Sequence, residues 1–161
     1  MKMMKLKFLS LSVTLSLFVM SFSSCDKSDA ATSTATLRTK EVVLSATSGS
    51  TVSGKAVIAE NADHSFNVQI TIQNTVKDTV HVMHIHNGSI ASPGNISIPL
   101  TSITGTGGAA SGTTLNINTG ISAGGGTVSI TYDSIIKPTR YFNIHYSAAQ
   151  INTIVANGNI Q

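Results

Sequence analysis

From position 39 onward, apolar and polar residues alternate with a period of two. The clearest run is Phe66-Asn67-Val68-Gln69-Ile70-Thr71-Ile72, in which Phe66, Val68, Ile70 and Ile72 share one face. Successive side chains of a strand leave opposite faces, so this pattern predicts a half-buried antiparallel strand. The same reading predicts strands over 40–46, 51–59, 65–73, 79–86, 95–100, 113–118, 127–132, 139–146 and 155–160. Turn signals separate them: Asn61-Ala62-Asp63, Lys77-Asp78, Asn87-Gly88, Pro93-Gly94, and Gly-rich stretches at 105–112 and 120–126. A short helix is expected only over 147–154. Short strands at this spacing predict an all-β fold, a single antiparallel β-sandwich or Greek-key barrel. About 120 residues are enough for one core. Its expected members are Phe66, Val68, Ile70, Met83, Ile85, Phe142 and Ile144.

Two strands carry chemistry as well as core. In Val80-His81-Val82-Met83-His84-Ile85-His86, Met83 and Ile85 take the apolar parity, so His84 and His86 leave the other face together. Residues i and i+2 of a strand lie roughly 7 Å apart, close enough for two imidazoles to share a ligand. Tyr141-Phe142-Asn143-Ile144-His145 follows the same logic, with Phe142 and Ile144 inward and Tyr141, Asn143 and His145 outward. If the two strands are neighbours, His84, His86 and His145 supply three ligands for copper or zinc, metals that neutral imidazole suits. Tyr141 and Asn143 would then flank the ligands. The alternative is a hydrogen-bonded polar cluster of the same five side chains. His81 has the opposite parity to His84 and needs a bulge to join. His64 sits in a turn and reads as a solvated loop residue.

These two motifs carry a resemblance. His84-Ile85-His86-Asn87-Gly88 and the later Tyr141-x-Asn143-x-His145 resemble the CHRD domain, the repeated domain of chordin that also occurs in bacterial secreted proteins. The resemblance covers roughly residues 37–161. It includes Glu41-Val42, although Val43-Leu44 stands where the family has two prolines, and Ala156-Asn157-Gly158-Asn159-Ile160 lacks the family's arginine. It implies an immunoglobulin- or superoxide-dismutase-like sandwich and a binding module without a common catalytic activity. The histidine pair is similar to the copper strand of Cu/Zn superoxide dismutase. The chain lacks the further clustered histidines and the disulfide of that enzyme, so dismutase activity is not expected. Glu41 matches the family's early glutamate and either orients a histidine or arginine or is a plain strand carboxylate.

The start of the chain has its own grammar. Lys2, Lys5 and Lys7 precede an apolar stretch from Phe8 to Phe22, too short to span a bilayer as a helix. It ends in Phe22-Ser23-Ser24-Cys25, which resembles a bacterial lipobox. Residues 1–24 therefore read as a lipoprotein signal peptide and 25–38 as an acylated (palmitate-bearing) cysteine with a flexible Ser/Thr/Ala-rich tether. Residues 39–161 read as one CHRD-like domain. Cys25 is the single cysteine, which rules out an intrachain disulfide. Acidic Asp26 and Asp29 resemble the sorting signals of bacterial surface lipoproteins, so the outer membrane is expected rather than the inner. An inner-membrane retention role for Asp26 is the other reading.

Removing the signal changes the charge. Three of the ten basic residues lie in it, leaving seven Lys and Arg against seven Asp and Glu. No basic cluster remains to track a phosphate backbone, so nucleic acid is not an expected partner. The Gly-rich stretches lack the lysine of a phosphate-binding loop, and Asn87-Gly88-Ser89, a formal glycosylation sequon, reads as a turn. No carboxylate pair is poised for acid–base work, and a Ser/His/Asp triad does not follow from the abundance of serines. The expected function is thus a non-catalytic cell-envelope lipoprotein, anchored through acyl chains, whose module binds an envelope protein or glycan. The alternative is an extracytoplasmic copper- or zinc-binding protein. Anchoring is testable directly: Cys25→Ser should move the protein from the detergent phase to the aqueous phase on phase partitioning, and a variant that still partitions into detergent refutes it.

Overall fold

The computed structural model describes residues 37–161. The signal peptide expected over 1–24, the Cys25 lipidation and the tether expected as far as residue 36 lie outside the described residues. Ten strands are present: β1 (Thr39–Ala46), β2 (Ser53–Glu60), β3 (Phe66–Gln73), β4 (Val80–Gly88), β5 (Pro93–Thr104), β6 (Ala110–Ile117), β7 (Thr119–Ile121), β8 (Thr127–Ser129), β9 (Arg140–His145) and β10 (Ile154–Asn159). A short helix, α1 (Tyr132–Ile136), precedes β9. Eight strands form one antiparallel sheet in the order β5-β4-β9-β10-β1-β2-β3-β6, and β7 and β8 make a separate hairpin.

The sheet curls until its edge strands meet, giving a nearly closed barrel. No ladder joins β5 to β6. Instead Thr114 Oγ1 accepts from the Thr101 amide at 2.8 Å and bonds to the Thr101 hydroxyl at 3.2 Å. The alternation anticipated in β3 is exact, with Phe66, Val68, Ile70 and Ile72 buried and Gln69 and Gln73 exposed. Phe66, Val68, Ile70, Met83, Ile85, Phe142 and Ile144 are all 2 % exposed or less, inside one barrel core. Gly158 lets β10 lie close to β1: a Cβ there would come 2.2 Å from the Val43 carbonyl oxygen. At the end of β4, Gly88 adopts a φ of +82°, the left-handed turn that Asn87-Gly88 announces.

Several local expectations give way to tertiary context. β5 runs through Thr104 instead of stopping at Leu100, and Pro93-Gly94 opens it rather than forming the turn. Proline is tolerated at the first residue of a strand, and the tight turn falls at 89–92, where the Ser89 and Ser92 backbones bond each other. The Gly120–Gly126 stretch closes a hairpin, as its glycines suggest, with Thr119–Ile121 pairing with Thr127–Ser129 around it. The strand expected over 127–132 ends at Ser129. Tyr132–Ile136 turns into α1, with the Ser134 hydroxyl accepting from the Thr131 amide at 2.8 Å. Ile130 and Tyr132 have strand spacing, but a serine three residues past Thr131 favours a helical start. The helix expected over 147–154 is instead a pair of turns, Gln150 to Ser147 and Thr153 to Gln150.

Ile85, fully buried and opposite both Phe142 and Ile98, tests the core. Ile85→Asp buries an unpaired charge and should cost more than about 4 kcal/mol, enough to consume most of a small domain's stability. Val43→Asp, at a site 70 % exposed, should shift stability by no more than about 1 kcal/mol. Chemical denaturation followed by circular dichroism separates the two.

Candidate metal centre

The histidines meet because β4 lies beside β9 in one particular register. Met83 faces Ile144 and Ile85 faces Phe142 on the core side, while His84 faces Asn143 and His86 faces Tyr141 on the other. Next along the sheet, β10 sets Asn157 against Asn143 and Ile154 against His145. His145, two residues past Asn143, is therefore the diagonal neighbour of His84, within reach of a long side chain. His84 Nδ1 lies 3.2 Å from His145 Nε2. Ring centroids are 5.2 Å apart for His84 and His145, 5.9 Å for His84 and His86, and 6.5 Å for His86 and His145. Tyr141 stacks on His86 at 5.1 Å. One nitrogen from each of the three histidines lies within 4.8 Å of the others.

This face is not the open surface that parity alone suggests. Tyr141, Asn143, His84 and His145 are buried, at 3 %, 4 %, 9 % and 6 % exposure, and His86 is half-buried. The turns following β9 fold back, placing the Ile151 carbonyl by the His145 ring and bonding Tyr146 to Thr153. Burial leaves polar atoms without partners. Among the described residues the unbonded buried side-chain atoms are His81 Nε2, His86 Nε2, Asn143 Oδ1 and His145 Nδ1. Each such atom typically costs about 1–3 kcal/mol. Three of the four belong to the cluster.

The donor set fits a metal ion. Two nitrogens held about 2.0–2.1 Å from a zinc ion sit roughly 3.3 Å apart at a tetrahedral angle, close to the 3.2 Å between His84 and His145. The His86 Nδ1–H donates to the Gly94 carbonyl at 2.9 Å. A carbonyl can only accept, so this bond fixes the tautomer and leaves the Nε2 lone pair free to coordinate. Register irregularities between Ile85, His86 and Gly88 on the β4–β5 side break the regular ladder beside that carbonyl. Burial, reinforced by the neighbouring His145 and His86, lowers the His84 pKa to about 4. Burial also lowers that of His145, against the opposing pull of the Ile151 carbonyl. At neutral pH both rings are the neutral form that binds metals.

The other sequence candidates fall elsewhere. A register shift does occur between His81 and Met83, yet His81 does not join the cluster. It is fully buried, its Nδ1 donates to the His145 carbonyl at 3.1 Å, and its ring meets Tyr146 edge-on. His64 is an exposed turn residue with φ of 65°, 3.2 Å from Glu60. Glu41 pairs with Lys55 at 2.8 Å on the exposed side of β1. Sequence reading passed over Arg38, whose guanidinium grips Glu60 through Nε and Nη2 at 2.7 and 2.8 Å and reaches Asp133 at 2.7 Å. This fork holds the Glu60 carboxyl at a pKa of about 2. The Gly94 carbonyl was equally invisible, because it depends on where the β4–β5 turn falls.

A family model for the CHRD domain matches residues 33–151, about three quarters of the sequence. The chain belongs to the CHRD domain family. Both histidine motifs fall inside the matched span. The match stops short of β10, although β10 pairs with both β9 and β1 and is integral to this CHRD barrel. No curated protein and no solved structure matches the chain.

The low His84 pKa makes stability depend on pH. Its folded value, near 4, lies below the ordinary 6.5, so between these limits the unfolded chain binds the extra proton. Metal-free stability should therefore fall as pH drops from 6.5 towards 4. The Glu60 contribution is lost only lower, between 4.5 and 2. His84→Asn should flatten the upper window and leave the lower one in place. Melting temperatures measured from pH 7.5 to 3 check both; an unchanged upper slope in the variant assigns the effect to another group.

Proposed function

We propose that this CHRD domain is a non-catalytic module of the cell envelope that holds a copper or zinc ion through His84, His86 and His145. The observation that carries the reading is the convergence of three imidazoles, one nitrogen of each within 4.8 Å of the others, while two of their buried ring nitrogens lack protein partners. A hydrogen-bonded polar cluster would use those nitrogens up. Here His84 and His145 bond each other, while His86 Nε2 and His145 Nδ1 stay unbonded. Tyr141, stacked on His86, and Asn143, opposite His84, flank the ligands and hold them in place.

Family membership supports a binding module. Attachment through acylated Cys25, with the barrel displayed beyond a flexible tether, is the arrangement that the start of the sequence supports. The geometry defines the histidine site more sharply than any surface for an envelope protein or glycan, so the metal is the ligand we assign. The non-catalytic reading rests on the neighbours of the cluster. Among the described residues, no hydroxyl or carboxylate hydrogen-bonds to the three rings, which leaves the site without a nucleophile or proton-transfer partner of its own.

Calorimetric titration of the purified apo-protein with zinc and with copper tests the assignment. One ion should bind per chain. His84→Ala and His145→Ala should each weaken binding by about 100-fold or more, since a three-ligand site loses one of its donors. His64→Ala should leave it unchanged. Heat-free titrations with both metals would return all three histidines to a structural role.

A further inference from the structure

The charge around the site bears on which ion it holds. Dication sites normally offset the metal's charge with a thiolate or carboxylate ligand, or with a carboxylate behind a histidine. Neither is found here. His86 is backed by the Gly94 carbonyl, His145 has the Ile151 carbonyl beside it, and His84 bonds only to His145. Among the described residues, the one histidine paired with a carboxylate is the exposed His64. Among the described residues Glu60 and Asp133 are engaged by Arg38, Glu41 by Lys55 and Asp63 by Ser65, and no acid hydrogen-bonds to a ring of the cluster. An ion bound here would meet three neutral donors and a buried wall.

Burying an ion costs free energy in proportion to the square of its charge, so a dication costs about four times what a monocation does in the same neutral cavity. Coordination number points the same way. Zinc on three histidines takes a water as its fourth ligand and copper(II) favours four or more tetragonal donors, so either dication needs a ligand beyond the three nitrogens that converge here. Cuprous ion carries a single charge and is satisfied by three imidazoles. We infer that the His84, His86 and His145 site selects cuprous ion over zinc and cupric ion. The inference rests on the metal-binding reading above and narrows it to one oxidation state.

Asn143 marks where the selection can be reversed. Its Oδ1 is buried without a partner, and Asn143 lies opposite His84 and two residues before His145. Asn143→Asp would put the missing anion beside the metal with almost no change of shape.

The test titrates the full chain in detergent with copper(I) under nitrogen, using a chromophoric copper(I) chelator as competitor, and separately with zinc and copper(II). Copper(I) should bind at least about 100-fold more tightly than either dication. The bound copper couple should lie above the aqueous couple by about 59 mV for each tenfold preference over copper(II). Asn143→Asp should narrow the copper(I)-to-zinc ratio at least about tenfold. Zinc or copper(II) binding as tightly as copper(I) would overturn the inference while leaving the metal site intact. Binding of none of the three ions would overturn both. A folded Asn143→Asp protein with an unchanged ratio would remove the charge argument, and if that variant does not fold, the ratio in the natural protein alone decides.

Discussion

When Ile85 faces Phe142 across the β4–β9 ladder, His84 has no choice but to face Asn143. Side chains alternate with a period of two, so a slip of one residue would send both histidines into the core and two large apolar groups out of it. The hydrophobic demand of Met83, Ile85, Phe142 and Ile144, each 2 % exposed or less, therefore holds the polar cluster in register. Each buried side chain of this kind is worth about 1.5–3 kcal/mol, far more than any hydrogen bond among the histidines. The site is in this sense a by-product of the core. Its histidines come from one local motif and one distant one, and the barrel makes them adjacent.

Much of this was legible in the chain. β3 and β9 show their parity in every residue, because each buries one face on the core and obeys the alternation rule. The three histidines could be grouped for the same reason. What could not be read was the burial of the second face. The turns at 147–153 fold back and bring the Ile151 carbonyl beside the His145 ring, a long-range event with no period of its own. The same holds for α1, where Ile130 and Tyr132 satisfy strand spacing and the competing signal is a single serine three residues past Thr131. The first strand of the β7–β8 hairpin hid in a Gly-rich stretch because it is only three residues long. His81 shows the limit in the other direction: the bulge needed to redirect it exists, but its carbonyl partner on β9 keeps it apart from the cluster.

The barrel also separates its charges. Arg38, Glu60 and Asp133 form one network, with the guanidinium 4.8 Å above the Tyr132 ring. Among the described residues the histidine cluster has no carboxylate partner. Two kinds of polar chemistry thus occupy one small domain without neutralising each other: fixed ions in a partly solvated cleft, and neutral donors on a covered sheet face. The first lowers the pKa of its carboxylates and the second lowers that of its imidazoles, so both remain in the form that suits them at neutral pH.

Arg38 immediately precedes β1, and everything before Leu37 joins the barrel through it. Its backbone carbonyl accepts from Glu60 at 2.9 Å while its side chain clasps the carboxylate of the same residue. Mechanically this is a cleat. The β1–β2 ladder begins at Thr39 opposite Ala59, so a pull on the leading end of β1 peels its pairs one at a time, the weakest way to load a sheet. The two-ended grip on Glu60 takes that load before the first rung does. Held by its start as proposed above, the barrel would be tugged at this one point, and it would meet that tug with an ion pair before its own seam.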